Sequence, residues 1–257
     1  MCLQSSNDIC EMTKTLINKI LEAARGETRW KFISLFLRFA LMIVVAVLYF
    51  TNSHLLEYPI HFFEKSLPLH ALWLFFLCFF SARLFGNKHA IMASNRKFAK
   101  YNDIEKDYSK EKLLDFVKKN NIRAIWVILL ALVVNLPFWA LYYFGVIDER
   151  FLFSVFIVYF FLDIVCETLF CPLQKIILKN RCCHVCRIYS WNTILTIAPI
   201  LVIPGFFSAS LMVIGIVDLI YFEIKYKSHP EYFWDGSNSA LRCNNCYMKM
   251  CAVRGKL

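Results

Sequence analysis

The sequence predicts an all-α integral membrane protein, a bundle of about six transmembrane helices with a cytoplasmic cysteine-rich metal knuckle. Three observations predict it. Hydrophobic residues make up 59% of the 257, against ~45–50% in a soluble domain, and they gather in long runs with few charges. The runs match a bilayer-spanning helix, which needs ~20 apolar residues. They are too long for the strands of a barrel, the other fold that hides its backbone polar groups from lipid. Finally, two cysteine groups bracket the last apolar stretch: Cys182-Cys183-His184-Val185-Cys186 and Cys243-Asn244-Asn245-Cys246, with Cys251 beyond.

Residues 1–31 read as a cytoplasmic amphipathic segment. Ile9, Met12, Leu16, Ile20 and Ala24 recur at helical spacing behind Asn7 or Asp8 as a cap. The region carries many charges and no continuous apolar core, so it does not read as a signal peptide, and the first apolar run is expected to be a retained helix. The transmembrane bundle covers 32–224. Its expected spans are 32–51, 67–86, 123–147, 151–174, 191–207 and 208–224. Asn135-Leu136-Pro137 predicts a kink in the third span. Pro199, Pro204 and Gly205 interrupt the fifth and sixth. A basic cytoplasmic loop, 87–122, separates the second and third spans and contains a second amphipathic stretch, 106–119, expected to lie along the membrane surface. A cytoplasmic cysteine-containing tail, 225–257, follows the last span. Its His229-Pro230-Glu231-Tyr232-Phe233-Trp234 run suits the headgroup layer. The chain has 25 Phe and 7 Gly, so the helices are expected to pack by interlocking large side chains rather than by close glycine contacts.

Charge placement fixes the expected orientation. With both termini cytoplasmic, the inside segments 1–31, 87–123, 175–190 and 225–257 hold 25 of the 29 Lys and Arg residues, and only Lys65 and Arg150 lie outside. That asymmetry satisfies the positive-inside rule. The net charge of +10 then reflects attraction to anionic lipid headgroups and requires no nucleic-acid partner. The lipid bilayer itself is the one partner the sequence identifies. Short loops fit a bacterial inner (plasma) membrane.

In a reducing cytoplasm, clustered thiols point to metal or redox chemistry rather than disulfides. Cys183 with Cys186, and Cys243 with Cys246, would supply four thiolates to a tetrahedral zinc site that ties the last hairpin shut at its base. Cys182 and Cys251 are spare ligands, and six candidate thiolates also allow the alternative, an iron–sulfur cluster.

Charges inside a bilayer are costly and are either paired or functional. Asp163, Glu167 and Cys171 share one stripe of the fourth span. Asp218 lies in the sixth span, Arg38 in the first and Arg83 in the second. At 1.5 Å per residue the five charges lie roughly 5–16 Å below the cytoplasmic surface. One reading pairs Arg38 and Arg83 with two of the acids, Asp218 among them, to fix helix register. The other makes the group a substrate, ion or proton site, with Glu167 the functional acid.

No P-loop, GxGxxG, HExxH or GxSxG motif is present, so a membrane-embedded enzyme using Asp163, Glu167 or Asp218 is a weaker reading than the two that follow. Two functions fit. One is a small transporter or membrane scaffold with a structural cytoplasmic zinc site. The other is a membrane redox protein that uses an iron–sulfur cluster or reactive thiols on the cytoplasmic face.

Overall fold

The computed structural model describes residues 28–56, 67–85, 95–180 and 185–245. Four helices are long and apolar enough to cross a membrane. They are α1 (Thr28–Thr51), α3 (Lys110–Tyr143), α4 (Glu149–Thr168) and α6 (Phe206–Ser228). The shortest, α4, has 20 residues and extends ~30 Å, the thickness of the hydrocarbon core. Helix α2 (Leu67–Ala82) is as apolar but has only 16 residues. Among the described residues there is no strand; the one extended pairing is an isolated bridge between Ile104 and Asn238.

Two segments differ from expectation. The stretch expected as a fifth span is not one helix. It consists of a 3₁₀ turn at Arg187–Trp191, a short α5 (Asn192–Ile197) and a second 3₁₀ turn at Ala198–Val202. Pro199 falls at the start of that second turn, where it supplies no N–H to continue a helix. Irregular backbone is tolerated at membrane depth only where protein surrounds it. Here Thr193, Thr196, Ile197, Ala198, Pro199 and Ile200 are all buried, and α5 sits between α4 and α6. Gly205 then turns the chain into α6 with φ 147° and ψ 166°, a conformation open almost only to glycine. Gly205→Ala is therefore expected to cost about 1–3 kcal/mol, read as a lower melting temperature in detergent.

The second difference lies in α3. The expected surface helix and the third span form one unbroken helix of 34 residues. Ser109 caps it by accepting from the Lys112 backbone N–H at 3.4 Å. Leu113, Asn120, Ala124 and Val127 form one buried face across the expected boundary, so packing carries the helix straight through. It also continues past Pro137. Asn135 Nδ2 donates to the Ala131 carbonyl at 2.8 Å one turn below.

Large aromatic side chains interlock at the centre of the bundle. Phe76 meets Phe156 and Phe160 edge to face at 4.7 and 4.9 Å, and Trp73 stacks on Phe207 at 5.0 Å. A second core gathers Leu178, Trp191, Phe222, Tyr226 and Phe233 towards the end where residues 95–105 and 229–245 lie. Phe233 is 1% exposed and packs on Phe222 and Tyr226. Phe233 of the aromatic run after the last span thus enters the core, while Tyr232 and Trp234 stay partly exposed.

Candidate functional site

Helix α4 presents Asp163 and Glu167 one turn apart, both nine-tenths or more buried. Arg38 of α1 donates to Asp163 Oδ2 at 2.7 Å and to the Phe160 carbonyl at 2.9 Å. Arg83, just past α2, reaches the same Oδ2 at 3.2 Å, and the Asn192 amide of α5 donates to Oδ1. The Arg38 guanidinium also lies over the Phe160 ring, 4.0 Å from its centroid, so its apolar faces are covered as its edges are paired. Glu167 Oε1 accepts from Lys31 of α1 and from the Tyr189 hydroxyl, the latter at 3.1 Å. Burial, with Glu167 adding to it, holds the Tyr189 phenol well above its ordinary pKa, so it stays protonated as a donor.

The expected pairing is corrected in one respect. Both arginines converge on Asp163, and Asp218 pairs instead with Lys97. Lys97 belongs to the loop between α2 and α3, yet it is 1% exposed and also donates to the Arg83 carbonyl at 3.3 Å. Thr193 donates to Asp218 from the other side at 3.5 Å. No leftover acid remains: each of the three carboxylates has a cation. Lys31, Lys97, Tyr189 and Asn192 escaped the sequence reading. A lysine in a basic loop looks identical whether it is solvated or folded inward, Asn192 falls in the segment expected as plain span, and Tyr189 falls in the segment just before it, expected as a cytoplasmic loop.

No known protein family, curated protein or solved structure matches the chain. Geometry alone therefore carries the functional reading.

Beside the carboxylates lies a cavity of about 250 Å³. Val127, Leu130 and Val134 of α3 form one wall, and Tyr159, Leu162 and Cys166 of α4 the other. Ile188, Leu195 and Thr196 close it from behind. The polar groups that line it are Asp163, Glu167, Tyr189, Asn192 and Asn135, together with Cys171 and Cys186. Two sites expected from the sequence as separate features, the acidic stripe and one cysteine of the first pair, thus share a wall of one cavity. The cavity exists because α3 and α4 each pack on other partners. Helix α4 leans on α1 and α5, while α3 leans on residues 173–178, 187–191 and 230–233. The two helices close on each other where Phe138 meets Phe151, ring centroids 6.3 Å apart.

The same end of the bundle carries a polar clasp. Residues 95–105 bind the chain around Cys186 through Arg96, which donates to the Cys186 carbonyl at 3.0 Å. They bind the tail through Asn238, which accepts from the Asp103 N–H at 3.1 Å and donates to Asn102 at 2.9 Å. Arg242 makes a two-pronged pair with Glu105 at 2.6 and 2.8 Å, and those hydrogen bonds raise its pKa above the usual guanidinium value. Cys186 is buried and Cys243 exposed. Cys182, Cys183, Cys246 and Cys251 lie outside the described residues, as does the expected helix of the N-terminal segment. Among the described residues, no three His, Cys, Asp or Glu side chains are grouped to hold a metal ion.

Proposed function

We propose that this is a membrane-embedded binding protein of the small-transporter type, with its ligand site in the cavity between α3 and α4. One observation carries the reading: an apolar, partly open cavity of about 250 Å³ whose floor holds two buried carboxylates. A mainly apolar hollow with a few converging polar groups is the ordinary form of a small-molecule site. A bundle held only for its own stability gains nothing from leaving charged groups beside unfilled space. The orientation we propose places the clasp on the cytoplasmic side, as the distribution of Lys and Arg favours, with six membrane passes if α2 and the broken 191–207 segment both cross. The bacterial inner membrane is the setting that the short loops suggest.

Native mass spectrometry of gently purified protein tests the reading. Wild-type protein is expected to carry a co-purifying small molecule, and Leu162→Trp, which fills the cavity from its lipid-facing rim, is expected to lose it without a drop in melting temperature. A ligand-free wild type, or equal occupancy in both proteins, contradicts the site. Glu167→Gln is expected to keep folded yield, because an amide oxygen still accepts from Tyr189 and Lys31. It is expected to lower occupancy.

A structural metal site at the clasp is the second part of the proposal. The clasp supports it: one loop, 95–105, holds both the chain around Cys186 and the stretch of the tail that leads to Cys243. Serine in place of Cys183, Cys186, Cys243 or Cys246 is expected to remove bound zinc and lower stability, since metal binding and folding are coupled; Cys78→Ser is expected to do neither. Metal analysis decides the chemistry. Colourless protein with zinc supports the structural site, brown protein with iron and sulfide supports the redox reading, and metal retained in all four variants contradicts both.

A further inference from the structure

The proposed ligand site has a chemistry that narrows its occupant. Leu130, Val134 and Leu162 line the cavity and are 39%, 44% and 46% exposed. They stand on the flanks of two membrane-length helices, so the mouth of the cavity faces lipid tails rather than water. An apolar cavity of ~150 Å³ holds benzene. By proportion, 250 Å³ holds a chain of about ten carbon atoms, more slender than a two-tailed lipid.

The polar end accepts more than it donates. Asp163 takes three hydrogen bonds, from Arg38, Arg83 and Asn192, and a carboxylate has about four lone-pair positions. The Tyr189 hydroxyl hydrogen already goes to Glu167 and one Asn192 amide hydrogen to Asp163. Asn135 adds an independent sign. It lines the cavity, is 3% exposed, and no described donor reaches its Oδ1. A buried amide oxygen without a partner is costly unless a ligand supplies the hydrogen.

Charge selects among donating headgroups. Lys31, Arg38 and Arg83 meet the two carboxylates Asp163 and Glu167, which leaves a surplus of one positive charge. An ammonium head would add to that surplus. A carboxylate or sulfate head would offset that surplus but offers no hydrogen to the Asn135 oxygen and would lie against the Asp163 carboxylate. A neutral hydroxyl meets neither penalty and supplies the missing donor.

Resting on the ligand-site reading above, we infer that the occupant is a single-chain, hydroxyl-headed amphiphile that enters sideways from the bilayer, its one hydroxyl hydrogen shared between the acceptors at Asp163 and Asn135 and its chain lying between α3 and α4.

Photolabelling in lipid nanodiscs tests this with four diazirine probes of equal chain length: an alkanol, an alkyltrimethylammonium, an alkyl sulfate and a plain alkane. The alkanol is expected to label residues of the 127–134 and 159–166 stretches, and excess decanol is expected to compete it away. Its labelling should exceed that of each other probe by about tenfold or more, the worth of one hydrogen bond to a charged acceptor. Leu162→Trp and Val134→Trp, both at the lipid-facing rim, should each remove the labelling. Asn135→Leu should narrow the preference of alkanol over alkane. Equal or stronger cavity labelling by the ammonium, sulfate or alkane probe overturns the headgroup assignment while leaving the ligand site standing. Labelling by no probe, with a co-purified molecule still seen by mass spectrometry, overturns the amphiphile class alone. Labelling by no probe and no co-purified molecule overturns the amphiphile and the site together.

Discussion

Replacing Asp163 by alanine is expected to reduce folded yield more than any other single change in the bundle. Asp163 is 8% exposed and joins four parts of the chain: its own α4, Arg38 on α1, Arg83 after α2 and Asn192 on α5. Its removal leaves two guanidinium groups with no shared counter-ion. Breaking a buried pair by deleting one partner costs about 3–5 kcal/mol, a large share of the whole stability of a typical domain, ~5–15 kcal/mol. Arg38 retains its contact to the Phe160 carbonyl and its place over the Phe160 ring. Arg38→Met is nevertheless expected to be milder than Asp163→Ala, because Arg83 still neutralises the acid. Folded yield by fluorescence-detected gel filtration and melting temperature in detergent check the order. Equal effects from the two variants would contradict the three-way arrangement.

The second large effect is expected at Lys97. This lysine and Asp218 are 1% and 3% exposed in their side chains and bond to each other. The loop is thereby pinned to the middle of α6. Lys97→Met leaves a carboxylate buried against Thr193 and is expected to lose about 3–5 kcal/mol. The double variant Lys97→Met with Asp218→Leu removes both charges at once. Replacing a buried ion pair by well-packed apolar residues is often neutral or stabilising, so most of the loss is expected to return. A double variant as unstable as the single one would show that Lys97 acts through some contact other than Asp218.

Much of the architecture could be read from the chain because bilayer physics is written in long, local patterns. Helices α1 and α6 begin and end within four residues of the apolar runs 32–51 and 208–224, and α4 begins two residues before the run 151–174 but ends six short of it, at Thr168. The reliance on phenylalanine over glycine appears directly in the aromatic core around Phe76 and Phe160. Places where the sequence misleads are those governed by contacts between distant segments. Nothing local distinguishes Lys97 from its exposed neighbour Lys100. The Asn238 side chain, 0% exposed, holds the clasp together through residues more than a hundred positions away. The acidic stripe was legible because its period of four matches the helix turn. Its partners were legible only as residue types, so Asp218 was assigned to the wrong cation. The cavity was not legible at all, since it arises where α3 and α4 choose different neighbours.

The proposed ligand would occupy the space between α3 and α4 above Asp163. An experimental density map of the wild-type protein in lipid nanodiscs tests it most directly. Elongated non-protein density is expected, starting beside Asp163 and Asn135 and leaving between Val134 and Leu162. A map in which α3 packs directly on α4, with Leu130 and Val134 against Leu162 and no room between them, would contradict it.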